Sequence, residues 1–168
     1  MIHDTGGGGE VRGVTWRVRA VPGDDPVASA LAKPSVSVLF VDDCDHDAAR
    51  IESALSRCRD FDADIDRIGD PAEAWRLWDQ GIHDIALFDI WLGNGTSIEL
   101  LSRLEQDASS RPVVVLTSLP CSEARAFASG CGDFLVHSKH DLSPAALALT
   151  LGSALALSCQ RAVMLNSS

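Results

Sequence analysis

Three short apolar runs each lead into residues able to do chemistry. VSVLFV (Val36 to Val41) runs into Asp42 and Asp43, IALF (Ile85 to Phe88) into Asp89, and VVVL (Val113 to Leu116) into Thr117. A weaker run, Phe134 to His137, leads to Ser138 and Lys139. Three carboxylates drawn into one crevice repel one another, and a hard divalent cation with oxygen ligands is the natural remedy. Mg²⁺ is the expected ion, because it commonly shares its shell with phosphate. A hydroxyl from Thr117 and an ammonium on the neighbouring strand would then offer donors and positive charge to phosphoryl oxygens.

Bringing these residues together requires a particular sheet. The three strong runs are rich in β-branched residues and lack a polar face, as strands buried on both sides do. Ala63 to Arg67 reads as a further, weaker strand. Between the strands lie helical patterns with legible starts: Asp70-Pro71-Ala72-Glu73 supplies N-cap, N1 proline and N3 acid, and Ser143-Pro144 repeats the cap and proline. Further helices are expected over 47–57, 97–108 and 122–129, the last stopped by Gly130. Five strand–helix units in this order call for an α/β fold, a doubly wound five-stranded parallel sheet with helices on both faces. In such sheets the ligand crevice lies outside the carboxyl ends of the strands.

Length and composition narrow the function. At 168 residues, 46% hydrophobic and 23% charged, the chain has the bounds of one globular domain. A formal charge of −10 argues against a nucleic-acid partner, which needs a basic footprint. The five cysteines include no CxxC pair, and no histidine pair has metal-ligand spacing, so reduced thiols and a cytoplasmic setting are expected. The N-terminus lacks the pattern of a secretory signal, and the apolar stretch from Ala145 to Leu157 is too short to cross a membrane. Residues 1–34, with the Gly6 to Gly9 tract and Pro34, read as an N-terminal extension, flexible or with one added strand where Val14, Trp16, Val18 and Ala20 alternate with polar neighbours. The domain proper is placed at 35–158, followed by a tail at 159–168.

VLFVDD, LFDIWLGNGTSIELL, VVVLTS and GCGDFLVHSK, in that order, resemble the response-regulator receiver family, the CheY-like fold, over roughly Ser35 to Leu157. The resemblance implies a flavodoxin-like strand order 2-1-3-4-5 and a two-component phosphorelay role, with Asp89 as phosphoacceptor. It further implies that Asp43 and Asp89 ligate Mg²⁺ with the backbone carbonyl of Trp91, and that Asp42 acts mainly through water. Thr117 is then the switch hydroxyl, and Phe134 the aromatic whose rotamer follows it. The family's lysine falls at His137 by the short motif after Phe134, but at Lys139 by counting from Thr117 or back from Ser143. Lys139 is preferred, because its ammonium is reliably charged at neutral pH. The implied partners are a histidine kinase or histidine phosphotransfer protein and a downstream protein target.

Two departures from the family pattern stand out: His140 where proline often follows the lysine, and Gly93-Asn94-Gly95 where proline commonly comes first. Taken singly, Asp42-Asp43 would serve as a helix cap and Thr117 as an ordinary strand residue. Their joint placement at strand ends is what favours a phospho-acceptor, which assists its own phosphorylation and dephosphorylation but is not a turnover enzyme. The rivals are a scaffold that keeps the fold without carrying phosphate, and a haloacid-dehalogenase type phosphatase. The latter wants a second acid two residues after the nucleophile, where this chain has Trp91. In the last helix Leu147, Leu151 and Leu155 form one stripe while Leu149, Ala156 and Leu157 lie off it, so a second cover is expected: a homodimer, a partner, or the N-terminal strand.

Overall fold

Apolar residues at every position of a strand demand cover on both faces, and this chain supplies it with two separate cores. The computed structural model describes residues 10–11, 14–15, 33–93, 95–106, 111–120, 122–123, 126 and 134–165. Five strands, β1 (Ser35–Val41), β2 (Asp62–Ile68), β3 (Ile85–Asp89), β4 (Val113–Thr117) and β5 (Leu135–Ser138), form one parallel sheet in the order β2-β1-β3-β4-β5. That is the order 2-1-3-4-5 and the doubly wound α/β class expected from the sequence.

Alternation along each strand divides the side chains between the faces. Val36, Val38 and Phe40 of β1, Ile85 and Leu87 of β3, and Val114 and Leu116 of β4 face one core. It is closed by Ile51 and Leu55 of helix α1 (Asp45–Leu55) and by Leu147 and Leu151 of the C-terminal helix α4 (Pro144–Leu165). Leu39, Val41, Ala86, Phe88, Val113 and Val115 face the other, under Trp78 of α2 (Pro71–Asp79) and Leu101 of α3 (Ile98–Glu105). β2 is an edge strand, its Asp62, Asp64 and Asp66 exposed and the residues between them half-buried.

The helix starts follow the sequence signals. Asp70 Oδ1 accepts from the Glu73 amide at 2.8 Å, with Pro71 at the first helical position. Ser143 Oγ accepts from the Ala146 amide at 3.2 Å. The C-terminal helix continues to Leu165, into the segment 159–168 that was expected to be a tail. Its Leu147 and Leu151 are buried, whereas Leu149 and Leu157 are exposed. Residues 10–11 and 14–15 pair as a short antiparallel hairpin whose second arm lies beside this helix. Trp16, Val18 and Ala20 of the expected strand lie outside the described residues, as do most of the expected helix over 122–129 and its Gly130 stop; Ser122, Glu123 and Ala126 are helical. A small hairpin, Trp91–Leu92 with Gly95–Thr96, follows β3 and was not anticipated.

Candidate functional site

Parallel strands that end together aim the residues after them at one crevice, and here the crevice is held by Lys139. β5 ends at Ser138, and the Lys139 amide donates to the Thr117 carbonyl at 2.7 Å, extending the β4–β5 ladder by one bond. The lysine side chain is 4% exposed. Its Nζ donates to Asp42 Oδ2 at 2.8 Å, Asp89 Oδ2 at 2.8 Å and Asp47 Oδ2 at 2.9 Å. An ammonium has three protons, and three carboxylates receive them.

Each carboxylate is further fixed. Asp42 is fully buried, and its Oδ1 accepts from the Cys44 amide at 2.8 Å, which ties the side chain to the start of α1. Asp89 Oδ1 accepts from the Trp91 amide at 3.2 Å, and the buried Ser97 hydroxyl donates to the Asp89 carbonyl at 2.8 Å. Asp43 is exposed, and its Oδ2 accepts from the Gly93 amide across the crevice. A Cβ at Gly93 would lie 2.4 Å from that oxygen, so a larger residue there would make the exposed Asp43 carboxylate swing aside and give up this bond.

The charges shift one another. Burial pushes the Asp89 carboxyl above its ordinary value, and neither the Lys139 bond nor the Trp91 amide fully offsets it; the Asp42 charge adds to the rise. Asp47 is lowered, first by its hydrogen bond to Lys139. For Lys139, burial works against the charge, yet the bonds from Asp42, Asp89 and Asp47 outweigh it and hold the ammonium above the usual lysine range. Three carboxylates meet the ammonium, Asp43 stands at the rim, and the Arg50 guanidinium lies 3.4 Å from Asp47, which leaves four carboxylates against two cations.

The other expected residues fall as follows. Thr117 is fully buried at the end of β4, its Oγ1 accepting from the Leu119 amide at 3.0 Å. Phe134 is half-buried against the second core. His137 turns away from the crevice: its Nδ1 meets Thr150 Oγ1 at 2.8 Å and its Nε2 donates to the Asp141 carbonyl at 2.7 Å. Lys139, not His137, therefore reaches Asp42 and Asp89. His140 Nε2 donates to the Ser118 carbonyl at 3.0 Å, and no cis peptide bond occurs among the described residues.

Sequence reasoning passed over Asp47. An acid in the first turn of a helix reads as a partner for the helix dipole, and no spacing rule distinguishes one that also reaches across to a lysine 92 residues away. Ser97 was missed for the same reason, as an N-cap type at a helix start.

The donors that face the crevice are hard oxygens, suited to Mg²⁺ rather than to softer ions. Among the described residues no three His, Cys, Asp or Glu side chains form a cage for an ion by themselves. Mg²⁺ seldom uses such a cage, being held by one or two carboxylates together with phosphate and water. The excess of carboxylate over ammonium fits a divalent cation.

No family model matches the chain, and no curated protein does. Solved structures do match. A response regulator from Chloroflexus aurantiacus aligns at TM-score 0.64 and 22% identity, covering 73% of this chain and 98% of that one. A CheY-like receiver domain protein from Methanospirillum hungatei aligns at 0.61 and 19%, covering 77% and 98%. A LuxR-family two-component response regulator from Aurantimonas aligns at 0.62 and 21%, covering 73% and 86%. The chain has the CheY-like receiver fold. At these identities the likeness speaks for the fold alone; Lys139, Asp42 and Asp89 meet at the carboxyl ends of the strands of that fold. Among the described residues no helix is long and apolar enough to cross a membrane.

Proposed function

We propose that this receiver-fold chain is a phospho-accepting switch of a two-component phosphorelay, with Asp89 as the acceptor. The observation that carries the proposal is the Lys139 ammonium, 2.8 Å from both Asp42 and Asp89 at the carboxyl edge of the sheet, with Thr117 at the end of the adjacent strand. An Asp89 oxygen attacks the phosphorus of a phosphohistidine on a kinase or phosphotransfer protein. The phosphorus–nitrogen bond breaks, and its electron pair stays with the imidazole, which takes up a proton. Mg²⁺, held by Asp43, Asp89 and the Trp91 carbonyl with Asp42 acting through water, would neutralise charge on the transferring group. Lys139 already touches Asp89 Oδ2, so its ammonium can pass to a phosphoryl oxygen as charge moves there. Thr117 gives up its bond from Leu119 and turns its hydroxyl to the phosphoryl group, and Phe134 follows.

Output then passes through protein contacts. The unit proposed to switch is 35–158, with 1–34 as an extension, and the exposed Leu149 and Leu157 offer a face for a target or for a second copy. Incubation with Mg²⁺ and acetyl phosphate or phosphoramidate is expected to add one phosphoryl group, seen by intact mass, and Asp89→Asn is expected to abolish the gain. A scaffold that carries no phosphate is the second reading. It is favoured by the closed state of the cluster, in which every proton of the ammonium already has a carboxylate. No mass gain in the unaltered chain would decide for it.

A further inference from the structure

The third carboxylate on Lys139 has no place in the mechanism above, and its surroundings give it one. Asp47 lies in the first turn of α1, with Oδ2 2.9 Å from Lys139 Nζ and Oδ1 3.4 Å from Arg50. Its neighbour in the same turn, Asp45, shows what an ordinary acid does there: 95% exposed, it pairs with Arg67 at 2.8 Å. Asp47 instead is 21% exposed and turned into the crevice. Lys139 holds the Asp47 carboxyl below the usual carboxylate range, so it is charged whenever Asp89 is ready to react.

A phosphoryl group on Asp89 brings about 1.5 to 2 negative charges to this spot. The ammonium must then serve the phosphoryl oxygens with what Asp42 and Asp47 leave it. Asp42 is fully buried and locked by Cys44, whereas Asp47 enters from the helix side. Resting on the acceptor function proposed above, we infer that Asp47 is a positioning residue: it retains the Lys139 ammonium, opposes new negative charge on Asp89, and so weakens acceptance of a phosphoryl-like anion.

Beryllofluoride with saturating Mg²⁺ is the probe, followed by tryptophan fluorescence, since Trp91 is half-exposed and adjacent to the Asp89 carboxylate. Asp47→Asn is expected to bind it about 3- to 10-fold more tightly than the unaltered chain, the size of one partly screened charge contact. Asp47→Ser, which removes the charge in a smaller side chain, is expected to do the same, and Asp47→Glu, which keeps it, to stay near the unaltered affinity. Asp45→Asn controls for helix dipole and net charge and is expected to change nothing. Unchanged or weaker binding in both Asp47→Asn and Asp47→Ser, or equal tightening in Asp45→Asn, would overturn the role of Asp47 while leaving the acceptor function standing. No binding by the unaltered chain or any variant would remove both.

Discussion

At the carboxyl end of the sheet one ammonium answers three carboxylates, whereas at the amino end cations and acids are spread singly. There Arg111 lies over the Trp78 ring at 3.8 Å and donates to the Trp78 carbonyl at 2.7 Å and the His83 carbonyl at 3.4 Å. His83 Nε2 meets Asp66 Oδ2 at 2.9 Å, and that aspartate is 60% exposed, so water shares its charge. The amino end joins α2 to the starts of β3 and β4, and its acids are exposed to water. The carboxyl end buries Asp42 and most of Asp89 and keeps more acid than its lysine can balance. The contrast separates a cation that fastens the fold from one that, under the function proposed above, is held ready for an arriving anion.

The largest effect is expected from Lys139→Met. It leaves two buried carboxylates without their cation, and urea unfolding at pH 7 should show a loss of about 3–5 kcal/mol. A loss below about 1 kcal/mol would mean that water already screens the cluster and that the two ends do not differ. The ammonium is raised, so its contribution is whole below about pH 10.4, the unfolded value, and drains away as pH climbs beyond it.

Arg111→Ala comes next. Losing the stacking and two carbonyl bonds should cost about 1–2 kcal/mol with beryllofluoride binding unchanged. A matching loss of anion binding would show the ends to be coupled. Asp89→Asn should run the other way. A raised carboxyl disfavours the folded state once ionised, so the variant should match the unaltered chain near pH 3 and gain stability over it as pH passes upward through about 4. Equal stability at every pH would remove the supposed excess of negative charge. The smallest effect is expected from His83→Leu: among the described residues its buried Nδ1 has no hydrogen-bond partner, and Nε2 meets an exposed acid. Thermal or urea unfolding should place the change within about 0.5 kcal/mol.

These differences also mark what was legible in the chain. Period and composition placed the three central strands, because VSVLFV, IALF and VVVL have no polar face and must be buried twice over, while the half-buried outer strands gave weaker runs. Asp42, Asp89, Thr117 and Lys139 could be brought to one edge because strand ends are fixed once the strands are. Side-chain direction beyond the strands could not be read. The motif count leaves His137 and Lys139 both eligible for the family's lysine position, yet β5 stops at Ser138, and the turn that follows sends Lys139 to the crevice while His137 faces α4. Asp47 depends on a contact between distant elements, and the Trp91–Thr96 hairpin has arms too short for any periodicity to register.

The edge strand β2 carries a consequence of its own. Among the described residues no strand pairs with its outer side, and such an edge invites another chain to extend the sheet. Its alternating aspartates meet that hazard, since zipping two copies together there would stack Asp62, Asp64 and Asp66 of one against the same three of the other. The opposite edge, Leu135–Ser138, has no acidic residue. Pairing of two copies flank to flank through β2 is thus opposed by a single row of like charges, a guard that β5 lacks.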